Sequence, residues 1–502
     1  MSSEIKRQNV GSVVRNVIYG SMTWLLPLGL SFAATPIIVK SLGNNDYGIY
    51  ALVLGFIGYS FTFSLGRPIT KYIAEYRVSG ESEKIREVIS ASLFLNFVFG
   101  IFAVAVICGL ANWLVHSVFR IEEAAQERTI HAFYIASAII FMSMLNQVLG
   151  SVIQGVQRFD VYSKVTTASS FSLIAGNLLL AYFGFGLTAL LYWNLGTLTL
   201  FCLVLAVAAK RLLPEFGLSI RFSRSTLKMV LGYSTWNIVY QLFANVLLLF
   251  ERGWITQRLG ADELTHYVVP MALAMQLQAF ISSLVLVIFP LASELKDEND
   301  KLLALYLKAT KAISFIVVFA VASAVVQSRV FLELWMGTEF AARSSTIMIT
   351  QMACFGLISI MSIAWQMTEG LGHPRFNAFS IALSTTIGVT LMIVFIGEYG
   401  AVGVAVARFT GFVVVSLSVF YVEKWFFGRI QTRFWLRLSG SLGFAAIVAV
   451  AIEYGISTAL PEKWPALVLS VAAGGIAYCI VLWFLEFISA GEKLLVKRLV
   501  GR

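Results

Sequence analysis

Charged side chains are scarce in this chain. Asp, Glu, Lys and Arg make up 13% of its 502 residues, against 58% hydrophobic residues and a mean hydropathy of +0.82. Soluble domains carry about 25% charge, so an aqueous fold is excluded. Histidine and cysteine are also rare, at four each. Cys108, Cys202, Cys354 and Cys479 all fall in apolar stretches and read as packing residues, not as disulfides or metal ligands. No HExxH, Walker A, CxxC or Rossmann glycine pattern occurs. With no nucleotide loop and no large soluble domain, neither an ATP-driven pump, nor a metal site, nor any other cofactor is expected. Enzymatic chemistry is not expected either. A cleaved secretory signal is not expected, because the first apolar stretch is a full span without a clear small-residue cleavage site.

What the chain has in abundance is hydrophobic length. Residues 16–39, 88–119, 229–250, 266–293, 344–368 and 464–485 contain no Asp, Glu, Lys or Arg. Each is long enough to cross the roughly 30 Å of a bilayer's hydrocarbon core. Residues 165–209 are equally free of charge but too long for one crossing, and the glycines near 184–186 divide them. The pattern predicts an all-α polytopic membrane protein with about fourteen spans: 16–39, 47–67, 88–115, 131–154, 162–183, 187–208, 229–256, 264–290, 308–328, 345–368, 375–396, 400–422, 438–459 and 464–487.

Lysine and arginine set the orientation. With the N-terminus in the cytoplasm, 27 of the 37 basic residues lie in cytoplasmic segments and seven on the far side. Arg67, Arg252 and Arg408 remain at membrane depth. Both termini are therefore expected to be cytoplasmic. The net charge of +10 reflects topology and calls for no nucleic acid.

The chain also repeats itself. Leu42-Gly43 and Tyr47 recur loosely as Leu259-Gly260 and Tyr267, and Arg158-Phe159 recurs as Arg375-Phe376. The leucine-glycine and arginine-phenylalanine pairs each recur at an offset of 217 residues, and the glycines at 184 and 186 have counterparts at 400 and 403. Six spans separate corresponding points, so both halves enter the membrane in one direction. The expected organisation is an N-terminal lobe at 1–208, a linker at 209–228, a C-terminal lobe at 229–423, and two appended spans with a basic cytoplasmic tail at 424–502. The two six-helix lobes would be related by a pseudo-twofold axis along the membrane normal, with a transport pathway between them. Arg221, Arg224 and Lys228 in the linker fall on one face of a short helix, as expected of an amphipathic segment on lipid headgroups or of a solvated connector.

Span seven is the most informative. At about 100° per residue, Asn237, Gln241, Asn245, Glu251 and Arg252 occupy one side of an otherwise apolar helix. Ionisable side chains at membrane depth face a bundle interior or an aqueous cavity, so this stripe is a candidate pathway lining; a packing ion pair is the structural alternative. Gln351, Ser359, Ser362, Gln366 and Glu369 form a similar line on span ten. Span four carries Ser143, Gln147, Ser151 and Gln154, a stripe better explained, taken alone, by interhelical polar contacts. Arg67 ends span two, where a long side chain can reach the headgroups, and Arg408 lies deeper, in span twelve. Arginine binds phosphate through a planar fork that stays charged. Arg67, Arg252 and Arg408 thus outline a cationic cavity for an anionic cargo, with Glu251 and Glu369 as candidate ion-coupling acids.

Four segments carry a family resemblance. Leu42-Gly43-Asn44-Asn45-Asp46-Tyr47-Gly48-Ile49-Tyr50 resembles the first periplasmic turn of bacterial polysaccharide flippases, and Lys71-Tyr72-Ile73-Ala74-Glu75 their second cytoplasmic turn. Glu251-Arg252 followed by Leu259-Gly260 and Tyr267 resembles their seventh span, where aspartate is more usual than Glu251. Pro290-Leu291-Ala292-Ser293-Glu294-Leu295 resembles the loop after span eight. The resemblance is to Wzx-type O-antigen and exopolysaccharide flippases of the multidrug/oligosaccharidyl-lipid/polysaccharide exporter superfamily. Fourteen spans exceed the twelve of that superfamily's core fold, though some polysaccharide and lipid II flippases have fourteen.

The resemblance implies a bacterial inner-membrane protein that passes an undecaprenyl-diphosphate-linked oligosaccharide to the outer leaflet by alternating access. Its partners would be that lipid-linked sugar, membrane lipids, a proton or sodium ion, and a polymerase or co-polymerase. Two alternatives stay open: a multidrug exporter of the same fold, whose cationic cargo would call for acidic cavity residues, and a non-transporting polymer-assembly subunit. A major-facilitator transporter is disfavoured, because 71–87 lacks the Gly-x-x-x-Asp-Arg-x-Gly-Arg-Arg pattern.

Overall fold

A computed structural model describes residues 27–60, 66–213, 223, 225–227, 229, 235–285, 288–295 and 298–487. Among them the regular structure is entirely helical. The helices in chain order are α1 (Pro27–Leu42), α2 (Asn44–Ser60), α3 (Gly66–Ser79), α4 (Ser82–Trp113), α5 (Glu123–Gly155), α6 (Phe159–Tyr182), α7 (Leu187–Leu212) and α8 (Thr235–Leu259). They continue with α9 (Ala261–Val285), α10 (Ile288–Glu294), α11 (Asn299–Met336), α12 (Thr338–Gly370), α13 (Pro374–Val413), α14 (Leu417–Tyr421), α15 (Thr432–Ala459) and α16 (Trp464–Phe484). Ten described helices are long and apolar enough to cross a membrane, and fourteen spans are compatible with the set. Three further helices coincide with the expected first, second and seventh spans, and α13 runs through two expected spans, broken at Gly400.

The breaks follow backbone chemistry. Gly43, Gly184, Gly260, Gly337 and Gly400 take positive φ values, of 77°, 77°, 92°, 108° and 57°. A glycine adopts this region without the steric penalty of a Cβ, so it ends one helix and lets the next begin. Gly43 and Gly260 are one repeat offset apart, and so are Arg120, at φ 50°, and Gly337. The duplication therefore shows in the backbone as well as in the residues. The segment after the expected eighth span, read as a loop, contains the short helix α10.

The chain divides into two compact units. The first comprises Met1–Gln241 with Leu248–Thr265, and the second Leu242–Leu247 with His266–Arg502. The first is centred on Ile69 and Ile73 of α3, Val88 and Ile89 of α4, Val148 and Val152 of α5, and Leu205 and Ala209 of α7. The opposite face of α4 exposes Phe94, Phe97, Ile101, Phe102 and Trp113. Exposed apolar rows of this kind belong against hydrocarbon. The second unit packs Ile281 and Val285 of α9 on Ile313 and Val317 of α11 and on Ile363 and Met367 of α12. In the same unit, Leu438, Leu442 and Ala445 of α15 and Tyr478 and Leu482 of α16 pack with Phe315 and Phe319 of α11. The expected appended pair thus docks on α11.

Arg221, Arg224 and Lys228, the expected basic face of the linker, lie outside the described residues. So do the first part of span one and the basic tail. The linker residue Thr226 and the adjoining Met229 are described in contact with α4 and α3. Thr226 donates to Glu87 Oε2 at 2.9 Å, and Tyr76 donates to Met229 Sδ at 3.6 Å.

Candidate functional site

In the first unit, the second half of α8 lies in a groove that α2 opens by omitting side chains. Gly48 and Gly55 are seven residues apart, two turns of helix, and so share a face of α2. A Cβ at Gly48 would overlap the Ala261 carbonyl, and one at Gly55 would overlap the Arg252 guanidinium. Small residues at a helix interface let backbones approach where no hydrophobic drive exists between spans. Thr265 Oγ1 donates to the Asn44 carbonyl at 2.6 Å and closes the start of the groove.

Arg252 is the charged group in this groove. Its Nη1 donates to the Ala51 carbonyl at 2.7 Å, and its guanidinium carbon lies 5.3 Å from the centre of the Tyr59 ring. The side chain is 9% exposed, and its Nε makes no hydrogen bond among the described residues. No carboxylate forms an ion pair with it among the described residues. Glu251 is fully buried but turns elsewhere, as adjacent positions on a helix must. No Glu251–Arg252 ion pair is formed among the described residues. A carbonyl and a ring face position the Arg252 cation.

The other sequence candidates separate into groups. Gln241 and Asn245 on α8 are half-buried, whereas the side chain of Asn237 lies outside the described residues, as does that of Arg67. Gln147 on α5 is half-buried, and one turn on Ser151 Oγ donates to its carbonyl at 2.8 Å. Thr70 Oγ1 reaches the Ser151 carbonyl at 3.2 Å, and Asn146 Nδ2 donates to the Leu198 carbonyl at 3.0 Å. The described contacts of the span-four stripe bind α5 to α3 and α7.

In the second unit, Arg408 on α13 is 3% exposed, with ring centres of Phe355 and Phe412 at 5.0 and 5.4 Å from its guanidinium carbon. Two aromatic faces offer this cation a place in the helix packing. Gln351 on α12 is fully buried, and neither amide atom is hydrogen-bonded among the described residues. Gln366 and Glu369 are half-buried, and Glu369 Oε1 accepts from Trp365 Nε1 at 3.0 Å. Ser359 and Ser362 donate to carbonyls of their own helix.

Three polar clusters escaped the sequence reading. Asn177 and Asn194 donate to the Tyr50 hydroxyl at 3.3 and 3.0 Å, and Asn177 Nδ2 also donates to Asn194 Oδ1 at 3.0 Å, tying α2, α6 and α7. Glu423 is fully buried and accepts from Tyr306, the Gln431 backbone and Trp435. Glu453 in α15 is fully buried beside Ser323 and Gln327 of α11. For Glu453 the signal was present, an acid alone in an apolar span. For the others no periodic stripe marked the position.

Both the sequence and the helical fold are similar to those of known proteins. A family described as polysaccharide biosynthesis protein matches residues 37–345, more than half of the chain. The chain belongs to this polysaccharide biosynthesis protein family. It is 22% identical over 408 residues to a putative O-antigen transporter of Shigella flexneri, covering 79% of this chain and 94% of that protein. Among solved structures it is similar to the lipid II flippase MurJ in an inward closed conformation, with TM-score 0.71 and 14% identity over 94% of this chain and 99% of that one. It is also similar to an inward-facing multidrug resistance MATE family transporter, with TM-score 0.68 and 18% identity over 84% and 98% of the two chains. These structural likenesses establish the fold.

Proposed function

We propose that the protein is a flippase that carries an undecaprenyl-diphosphate-linked oligosaccharide from the cytoplasmic to the outer leaflet of a bacterial inner membrane, by alternating access. The observation that carries this reading is the buried Arg252 guanidinium, held by a carbonyl and a ring and without an ion-paired carboxylate among the described residues. A buried cation without a counter-charge is costly. A diphosphate supplies the missing charge and accepts the remaining N–H groups, at about 1.5–3 kcal/mol for each charge-assisted hydrogen bond. Family membership and the O-antigen transporter relative support the sugar-lipid class of cargo.

Arg408 and Arg67 are further candidate phosphate-binding cations, and the amides of Asn237, Gln241, Asn245, Gln351, Gln366 and Gln147 are the candidates for sugar hydroxyls. Glu251 and Glu369 are the acids available for coupling to a proton or sodium ion. Membrane lipids hold the polyprenyl tail, and a polymerase or co-polymerase takes the product onward. Both termini lie in the cytoplasm. A multidrug exporter of this fold would place acids, not a free arginine, before its cationic cargo.

The test is vesicles carrying a fluorescent lipid-linked sugar, together with polymer export in cells. Arg252→Ala should abolish both with protein still in the membrane, and Arg252→Lys should restore part of the activity. Full activity of Arg252→Gln would remove the charge argument. Loss of export in cells without any flipping defect in vesicles would point to the assembly-subunit reading.

A further inference from the structure

Glu453 sits seven residues before the last turn of α15 gives way to the 460–463 connection, within the contact between α11, α15 and α16. It is fully buried, and α16 makes room for it with a glycine: a Cβ on Gly474 would lie 2.5 Å from Glu453 Oε1. Ser323 Oγ donates to Oε1 at 2.7 Å, while Oε2 is buried and has no hydrogen-bond partner among the described residues. No basic side chain forms an ion pair with this carboxyl among the described residues.

Among the described residues the surroundings offer no counter-charge. Tyr478 on α16 is buried nearby, but its hydroxyl is spent on the Phe315 carbonyl at 3.1 Å. Tyr454 beside Glu453 and Cys479 on α16 are exposed. Arg329 on α11 is exposed, Glu333 accepts from Thr338, and Glu462 and Lys463 in the connection are exposed. An ionised carboxyl here would stand alone in a low-dielectric site, at a cost of several kcal/mol. A small metal cation would need a shell of oxygens, and Oε2 has no hydroxyl beside it. One proton on the carboxyl removes the charge and needs no shell.

A polar line leads from the backbone carbonyl of Glu453, beside this carboxyl, toward the 460–463 connection. Gln327 Nε2 donates to Ser470 Oγ at 2.8 Å and to the half-buried Ser457 Oγ at 3.0 Å. Ser470 Oγ donates in turn to the Glu453 carbonyl at 2.9 Å. Ser457 lies one turn closer than Glu453 to the connection. Elsewhere in α15 the buried residues are Leu438, Leu442, Ala445 and Ala449, which offer no such line.

We propose that Glu453 is a proton-binding site, loaded past Ser457, Gln327 and Ser470 from the side of the protein that carries residues 460–463. The site is separate from the proposed cargo residues, and its occupancy sets the charge inside the contact that docks the last two spans on α11.

Infrared difference spectroscopy of the purified full-length protein reads the proton directly and needs no transport. At neutral pH, wild type minus Glu453→Gln should show the C=O stretch of a protonated carboxylic acid, shifted down in D2O. Glu453→Asp should move this band rather than remove it, which keeps the assignment open to test if the glutamine variant does not fold. Exchanging potassium for sodium should leave the band in place, and Ser457→Val should slow its loss after an alkaline jump several-fold. A difference spectrum with carboxylate bands alone would overturn the proposal, as would loss of the acid band on adding sodium. Unchanged exchange in Ser457→Val would overturn the loading route.

Discussion

Gly55 and Arg252 claim the same space: a Cβ on the glycine of α2 would overlap the guanidinium that α8 lays against it. Gly48, two turns away, stands in the same relation to a backbone carbonyl, that of Ala261. A side-chain tip can move aside and a backbone cannot. The two glycines should therefore fail differently. Gly48→Ala should destabilise the protein by about 1–3 kcal/mol, as overpacked sites do, seen as a lower midpoint in thermal unfolding in detergent. Gly55→Ala should leave that midpoint nearly unchanged yet reduce flipping, because it displaces Arg252 from Ala51. Equal loss of stability in both variants would mean that Arg252 is fixed as rigidly as backbone.

The two described arginines at depth differ in the same way. Arg408 is stacked on Phe355 and Phe412, each such contact contributing about 0.5–2 kcal/mol. Arg408→Ala should therefore lower the amount of protein in the membrane, and Phe355→Leu should lower its thermal midpoint. Arg252→Ala should spare both. Immunoblots of membrane fractions, paired with melting curves, separate these outcomes.

Glu423 joins three neutral donors from α11, the 427–431 connection and α15. Glu423→Ala would leave the Tyr306 hydroxyl, the Gln431 N–H and the Trp435 indole N–H without their acceptor. At about 1–3 kcal/mol for each unsatisfied buried donor, this is among the most destabilising single changes expected in the second unit. Glu423→Gln keeps one acceptor oxygen and should cost less. Limited proteolysis should cut first in the connection before α15, and a wild-type cleavage pattern in Glu423→Ala would contradict the bracing role.

Glu251 is tested by Glu251→Gln, which preserves shape and removes the charge. If this acid couples transport to an ion, stimulation of flipping by an imposed pH or sodium gradient should vanish while the lipid-linked sugar still binds. Unchanged gradient dependence would leave Glu251 as a packing residue.

Some of these relationships were legible in the chain and others were not. Apolar length, glycine positions and the 217-residue echo depend on local chemistry and on order along the chain. They led to helices, to breaks at Gly43, Gly184, Gly260 and Gly400, and to a family whose fold the structure shares. Periodicity also placed Gln351 and Glu251 on inward faces, since the face of a helix follows from its own sequence. It could not say what lies across that face. Ala51, the acceptor for Arg252, is 201 residues away, and Ser323 is 130 residues from Glu453. A carbonyl or a serine has no periodic signature, and a glycine such as Gly55 or Gly474 shows its purpose only when a partner fills the missing side chain's place. The sequence determined which groups enter the membrane. Tertiary packing decided which charges found partners there, because in hydrocarbon only a contact at hydrogen-bonding or stacking distance can replace water.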